Sequence, residues 1–549
     1  MTNNNPITQE EAELNAAIEA ILQSPARKKL IVAGPGTGKT YLFKQLLETA
    51  PGKPDQRIVL TFINNLKNDL ERDLASLAKV HTLHSFCLGL LHHDPALRTD
   101  LSSDFRVCPG LAGIIAHDWE LIEGNEAPHF VGEMRALAEV NHITFYLGRG
   151  SYYDSVDFDD IVYRTYIYIS SGYSNISNYA LVLIDEYQDF NPLEAGIIDV
   201  LGKANSIVIA GDDDQALYSQ WRNGSSDYIR SLSRTGEFVV FQLPFCMRCP
   251  KVIVDAVSDV LSKANEIHRL KGRIDKPFKH FPPKKGADST KYPKVTVVGT
   301  STQSKKSNYM GRYIAQEIAK IPGDEIDTAI KEGYPVALVI VAKPYREQII
   351  AHLEESGINV ETGGDQESDI NREIGLSILK ENQNSNLGWR ILLEVDAPPF
   401  LREVILATVG GRTRLIDVVP DAYREFILAE ADTYDPPEEQ GGVEGTEGIS
   451  TAAGYPIVRV TSFQGSKGMS AQHVFIAGLH DGELPRNSAD IMDIEICKFV
   501  VGLTRTRKKC SLLFTRHFAK FWKSPSCFIS WINGDRLDFI KVTKSYWGG

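Results

Sequence analysis

The stretch "IVAGPGTGKTYLF", residues 31–43, joins a β-branched apolar run to a helix-like segment through a glycine-rich turn. Backbone N–H groups in such a turn converge on one point, and the helix N-terminus behind it adds positive potential. Phosphate oxygens are held there, with Lys39 placed to bridge the terminal phosphates and Thr40 to ligate magnesium. The loop runs from Ala33 through Gly34, Pro35, Gly36, Thr37 and Gly38 to Thr40, and Tyr41 follows it. Alanine stands where the usual pattern opens on glycine.

Working outward, "KLIVAG" (29–34), "RIVLTF" (57–62), "LVLIDE" (181–186) and "SIVIAG" (206–211) are each followed by a turn and a helix-like stretch. A second series follows: "KVTVVG" (294–299), "PVALVIVA" (335–342), "PIVRVTSF" (456–463), "HVFIAGL" (473–479) and "CSLLFT" (510–515). Short apolar strands alternating with helices predict parallel sheets, and two such series predict two α/β domains. The intervening segments 86–178 and 366–454 read as mainly helical insertions. Residues 269–294, basic and proline-bearing, and 430–448, acidic and glycine-rich, read as linkers.

"LVLIDEYQDFN" (181–191) supplies the complement to the phosphate loop. Asp185 can enter a magnesium shell, and Glu186 can orient or deprotonate water, as phosphoryl transfer requires. A third stretch, "GDDDQALYSQWRNGS" (211–225), is ambiguous. Its three aspartates suit a metal, or they shape a turn by capping backbone N–H groups, while Tyr218 and Trp221 suit a flat apolar ligand such as a base.

Bulk properties narrow the class. At 549 residues the chain is too long for one core. Hydrophobic residues make up 43% and charged residues 24%, with no apolar run long enough for a membrane span. A net charge of −12 means that any polyanionic partner meets a local basic groove rather than the whole surface. The polar start and seven scattered cysteines lead to the expectation of a cytoplasmic protein. Cys246 and Cys249 form a CxxC around Arg248, but no second pair follows at ligand spacing, which argues against zinc.

Taken in order, the motifs resemble those of UvrD/Rep-type superfamily 1 DNA helicases. "AGPGTGKT" (33–40), "VLTFINNLKNDLERDL" (59–74), "VHTLHSFC" (80–87), "DEYQDFN" (185–191), the 211–225 loop, "LPFCMRCPKVIVDAV" (243–257), "TSFQGSKGMSAQHVFIAGL" (461–479) and "ICKFVVGLTRTRKK" (496–509) carry it. The resemblance implies two RecA-like P-loop domains, 1–85 with 179–265 and 266–365 with 455–549. It implies ATP and Mg2+ as ligands, with Lys39, Thr40, Asp185 and Glu186 in the roles already read. Gln188 and Gln215 then sense the γ-phosphate, Arg248 and Arg505 clamp it from the two sides of the cleft, and Gln9 reads the base. Phe62, Asn64, Thr82, His84, Tyr218, Trp221 and Gln464 fall on the family's DNA groove. The implied activity is 3′-to-5′ movement on single-stranded DNA and unwinding of tailed duplex, with a nuclease or repair protein as a possible partner.

Four departures from the pattern matter. Gln215 and Trp221 are six residues apart where the family has five, which leaves Tyr218 as the alternative platform. Ser470 stands where the family has a sugar-holding glutamate, and Gln464 where it has histidine. Register near the N-terminus allows Glu11 in place of Gln9. The second insertion is short for the family, which implies a reduced accessory subdomain.

Overall fold

The computed structural model describes residues 7–547 apart from 63, 99, 139–140, 173–177, 219–223, 363–369 and 436–456. Two all-parallel sheets organise it. The first contains β1 (Lys28–Ala33), β2 (Arg57–Thr61), β3 (Lys79–Thr82), β4 (Leu181–Ile184), β5 (Ile207–Gly211) and β6 (Val239–Leu243) in the order β3-β2-β4-β5-β1-β6. The second contains β7 (Val295–Thr300), β8 (Ala337–Val341), β9 (Val360–Thr362), β10 (Val458–Thr461), β11 (Ala471–Ala477), β12 (Thr506–Thr515) and β13 (Leu537–Val542) in the order β9-β10-β8-β11-β12-β7-β13. Helices cover both faces, as parallel strands joined by crossovers require. The chain is an α/β protein of two RecA-like sheets.

All nine strands read from apolar runs are present. The four that were not read, β3, β6, β9 and β13, are the four sheet edges. Central strands such as β2, β5 and β8 are buried at every residue, whereas β6 is buried only at Leu243 and β13 only at its two ends, Leu537 and Val542. An edge strand is covered on fewer sides, so it lacks the continuous apolar run that marks its central neighbours.

Two readings need correction. Helix Lys251–Glu266, assigned with the first domain by a boundary at 265, buries Ile253, Val257 and Val260 in the core of the second sheet beside Val297 and Ile340. Residues 269–294 are not a linker. They include helix Pro282–Lys291, and residues 279–280 pair in parallel with Phe245–Cys246.

The insertions also differ from two separate appendages. Helices Leu111–Glu123 and His142–Tyr153 share one core with helices Asn386–Asp396 and Asp421–Thr433 of the second insertion. At its centre Asp118, fully buried, accepts from Arg149 and from Arg390, each at 2.7 Å. A buried carboxylate between two guanidiniums is tolerable because both its oxygens are satisfied.

Candidate functional site

The carboxyl end of the first sheet faces a cleft of about 1220 Å³, whose other wall comes from the amino ends of second-sheet strands: Glu332–Pro335 before β8, Gly468–Ser470 before β11 and Arg505 before β12. Ligands of open parallel sheets bind at such ends, where strand-to-helix loops present backbone groups. β1 ends at Ala33, and helix Lys39–Thr49 begins after a turn in which Gly36 and Gly38 take positive φ of 69° and 91°. Both positions need glycine for space as well as for φ. A Cβ on Gly36 would stand 2.4 Å from the Cβ of Arg248, and one on Gly38 2.5 Å from the Met247 methyl. Thr37 closes the turn by donating to the Gly34 carbonyl at 2.9 Å.

β4 delivers Asp185 and Glu186, both buried, to the opposite wall. Glu186 has φ of 55°, an unusual conformation for glutamate that turns its carboxylate back toward the phosphate loop. One Glu186 oxygen meets Lys39 Nζ at 2.9 Å, and the other accepts from Gln188 Nε2 at 2.6 Å and faces Lys467 Nζ at 3.3 Å. Burial favours the neutral acid, but Lys39 and then Lys467 outweigh it and hold Glu186 well below the usual carboxylate range. Asp185 shows the reverse balance: burial, then the adjacent Glu186 charge, push it up to about 6. Thr40 and Asp185 line the same cleft. A hydroxyl and a carboxylate of this kind are oxygen donors suited to Mg2+, which can polarise phosphate when bound.

The second domain reaches across the cleft. Arg505 donates to Gln215 Oε1 at 2.7 Å, and Gln215 Nε2 donates in turn to Asp212 Oδ2 at 2.7 Å. Gln188 Oε1 accepts from the Asp212 backbone N–H at 2.9 Å. Arg248 lines the cleft and donates to the Thr504 carbonyl at 3.4 Å. Lysine and arginine side chains from both domains thus gather around Glu186, Gln215 and the phosphate loop. Sequence reading missed Lys467, although it sits in a Gly-Ser-Lys-Gly run inside a quoted motif. This lysine is buried against Glu186, Asp189 and the Gln215 carbonyl, and burial lowers it to about 8.

At the base end, Ile7, Glu11 and Leu14 line the cleft; Gln9 does not, and it lies exposed in the first turn of helix Gln9–Gln23. Thr8 and Glu11 cap that turn reciprocally, which fixes the register. Ser470 lines the cleft and accepts from Arg507 Nε at 2.9 Å, while the Arg507 guanidinium lies 3.7 Å from the Tyr334 ring centre. A cation–aromatic pair therefore borders the position where the family has its glutamate.

The aspartate triplet is not a metal centre. Its ligand oxygens lie within 4.8 Å of one another, the only such group among the described residues. Lys276 Nζ already sits among them, at 2.8, 2.5 and 2.9 Å from Asp212, Asp213 and Asp214. Arg230 pairs with Asp213 at 2.9 Å and Arg273 with Asp214 at 2.6 Å. A divalent cation there would meet three protein cations. The expected turn-capping role is retained in part: Asp212 also accepts from the Asp214 N–H at 3.1 Å.

The residues assigned to the DNA groove separate. Phe62 is buried, 4% exposed, with its ring centre 4.9 Å from that of half-buried Tyr218. Thr82 is the N-cap of helix Leu83–His93 and accepts from the Ser85 N–H at 3.1 Å, so its hydroxyl is engaged locally. His84 packs edge-on to Phe158, and Gln464 is half-buried. Trp221 and the Asn64 side chain lie outside the described residues. A feature that the sequence reading did not single out is the hairpin of His517–Phe518 and Phe521–Trp522. Phe521 and Trp522 are 73% and 59% exposed, and Arg516 lies over the Trp522 ring.

Comparison with known proteins agrees with this geometry. The family described as "AAA domain" matches residues 15–220. A probable DNA helicase II homolog of Mycoplasma capricolum is 25% identical over 290 residues, covering 44% of this chain and 40% of that protein. The ATP-dependent DNA helicase PcrA of Leuconostoc citreum is 22% identical over 348 residues, covering 55% and 44%. The ATP-dependent DNA helicase Rep of Buchnera aphidicola is 25% identical over 244 residues, covering 37% and 36%. The chain thus spans less than half the length of these relatives. With its motifs in family order and their side chains meeting at one cleft between two parallel sheets, the chain resembles the UvrD/Rep-type superfamily 1 DNA helicases.

Proposed function

We propose that the chain hydrolyses ATP in the cleft and uses the cycle to move 3′ to 5′ along single-stranded DNA, unwinding tailed duplex. The observation that carries this reading is the convergence on Glu186 and the phosphate loop of Lys39 and Gln188 from one domain and Lys467 from the other, with Arg505 reaching Gln215 beside them. Both Glu186 oxygens are engaged. Incoming phosphates supply Lys39 with a better-matched anion, which releases Glu186 to accept a proton from water. Lys467 and Arg505 are held on first-domain atoms, so their contacts report closure, and a cation delivered only on closure couples hydrolysis to domain movement. Thr40 and Asp185 would hold Mg2+, which would supply further neutralisation of phosphate charge.

On the DNA side, Tyr218 belongs to the same loop as Gln215, and Lys467 Nζ lies 5.7 Å from its ring centre. A change at the γ-phosphate therefore reaches an aromatic platform within three residues. The exposed Phe521 and Trp522 beside Arg516 supply further stacking surface, and stacking serves a motor because every base has a π-face. ATP turnover of the full chain with and without single-stranded DNA tests the reading: strong stimulation is expected, and none at saturating DNA rejects it. Duplexes with a 3′ or a 5′ tail then decide direction, and matched RNA decides the substrate class.

A second reading treats the chain as an ATP-driven switch for a nuclease or repair partner. The joined insertions favour it, because their common core with Asp118 at its centre resists independent rotation. Efficient strand displacement by the isolated chain excludes this alternative.

A further inference from the structure

Cys246 and Cys249 take no part in the chemistry above, yet they flank Arg248; burial pushes Cys249 well up, as it does the other thiols, whereas Cys246 departs from them. Burial pushes up the thiols of Cys87, Cys108, Cys497, Cys510 and Cys527. It acts on Cys246 as well, but there the Cys249 thiol, the N–H groups of Cys249 and Arg248, and the Arg248 charge outweigh it and hold the group near 7. Cys249 precedes Pro250, the N-cap of helix Lys251–Glu266, so the two thiols flank a tight turn at a helix N-terminus and each perturbs the other. Among the described residues no third ligand-bearing side chain joins them, which leaves the pair as a dithiol rather than a metal site.

The turn between the two cysteines forms the back wall of the phosphate loop. Met247 N–H donates to the Gly36 carbonyl at 2.8 Å, and the Arg248 Cβ occupies the space that a Gly36 side chain would need. Cys249 Sγ donates to the Thr504 carbonyl at 3.6 Å, the same oxygen that accepts from Arg248 at 3.4 Å and belongs to the residue before Arg505.

We propose that Cys246 and Cys249 form a reversible disulfide site that closes down the nucleotide cleft when a small peroxide oxidises it. The Cys246 sulfur attacks the peroxide O–O bond, giving a sulfenic acid and one water. The Cys249 sulfur then displaces the second water, so that two thiols and hydrogen peroxide become one disulfide and two waters. Both thiols are buried, so the oxidant must be small and enter past the cleft wall. The new bond removes the Cys249 donor from Thr504 and tightens the turn, displacing Arg248 and the Met247–Gly36 bond together. Its effect on turnover rests on the function proposed above; its formation does not.

The test treats the full chain with hydrogen peroxide and follows three readouts: the Cys246–Cys249 cross-linked peptide by mass spectrometry, binding of a fluorescent ATP analogue, and ATP turnover before and after dithiothreitol. The cross-link is expected to accumulate with a loss of turnover of roughly a hundredfold, the scale set by an ångström-sized displacement of a catalytic group, and dithiothreitol to reverse both. Cys246→Ser and Cys249→Ser, tested separately, are expected to keep their turnover through the treatment. Absence of the cross-link, or a cross-linked chain that binds and hydrolyses nucleotide normally, overturns the proposal. A reduced chain that binds nucleotide but never hydrolyses it overturns the motor reading instead, while the cross-link and the binding readout still decide the thiol site.

Discussion

Asp185–Glu186 and Asp212–Asp214 are runs of buried carboxylates at the ends of adjacent parallel strands, and in sequence both look like metal or phosphate chemistry. Their surroundings separate them. The triplet is closed, with Lys276 touching all three acids while Arg230 and Arg273 take two of them. The pair is open: Lys39 lines the cleft and has a second possible anion in an arriving phosphate, while Lys467 is shared between Glu186 and Asp189. A buried acid whose countercharges have nothing else to bind holds the fold together, and one whose countercharges can be drawn away is available for catalysis.

The strongest way to break this contrast is Glu186→Gln, which keeps shape but loses the base. ATP turnover is expected to fall by about 10²–10⁴-fold with nucleotide binding and melting temperature retained, and normal turnover removes Glu186 from the mechanism. Lys276→Met should act on the other cluster through stability. Leaving three buried carboxylates without their shared cation is expected to cost about 3–5 kcal/mol in denaturant unfolding, and no added cation should rescue it if the site is structural. Rescue of this variant by Mg2+ would reinstate the metal reading.

Acidity sharpens the same comparison. Burial raises Asp214, but Lys276 and then Arg273 outweigh it, so its folded pKa lies below the ordinary 3.8. The unfolded chain therefore binds the proton first, and the stabilisation is complete above about pH 4 and lost as pH falls through the folded value. Asp214→Asn is expected to destabilise by about 1–3 kcal/mol at pH 7, with the difference from the parent shrinking below pH 4; a pH-independent difference contradicts the ion pairing. The smallest effect is expected for Arg273→Ala, since that side chain is about a quarter exposed and Lys276 remains. A loss of about 1 kcal/mol, measured by thermal melting with turnover unchanged, fits a peripheral partner.

How far the sequence could be read depended on how local each signal was. The phosphate loop, the β4 acids and the nine apolar strands are patterns of neighbours along the chain, so each was legible. The four edge strands were not, because one-sided burial dilutes the apolar signal. Thr82, assigned to the groove by resemblance, also caps a helix, a role that only the folded position of the Ser85 N–H reveals. Residues 269–294 looked like a basic linker because the acids that Lys276 and Arg273 neutralise lie about sixty positions earlier; the Lys276–Asp213 bond spans 63.

By itself the sequence determined the fold class, the order of the motifs and the position of the glycine-rich loop between β1 and its helix, because these follow from periodicity, turn chemistry and spacing within single segments. Tertiary structure decided which carboxylates are closed by the protein's own cations and which remain available, which cations cross from the second domain, and that the two insertions are one body. Those outcomes depend on pairings such as Arg505 with Gln215, 290 positions apart. The energy of a buried charge is set by what folds around it, and no local pattern of residues contains that information.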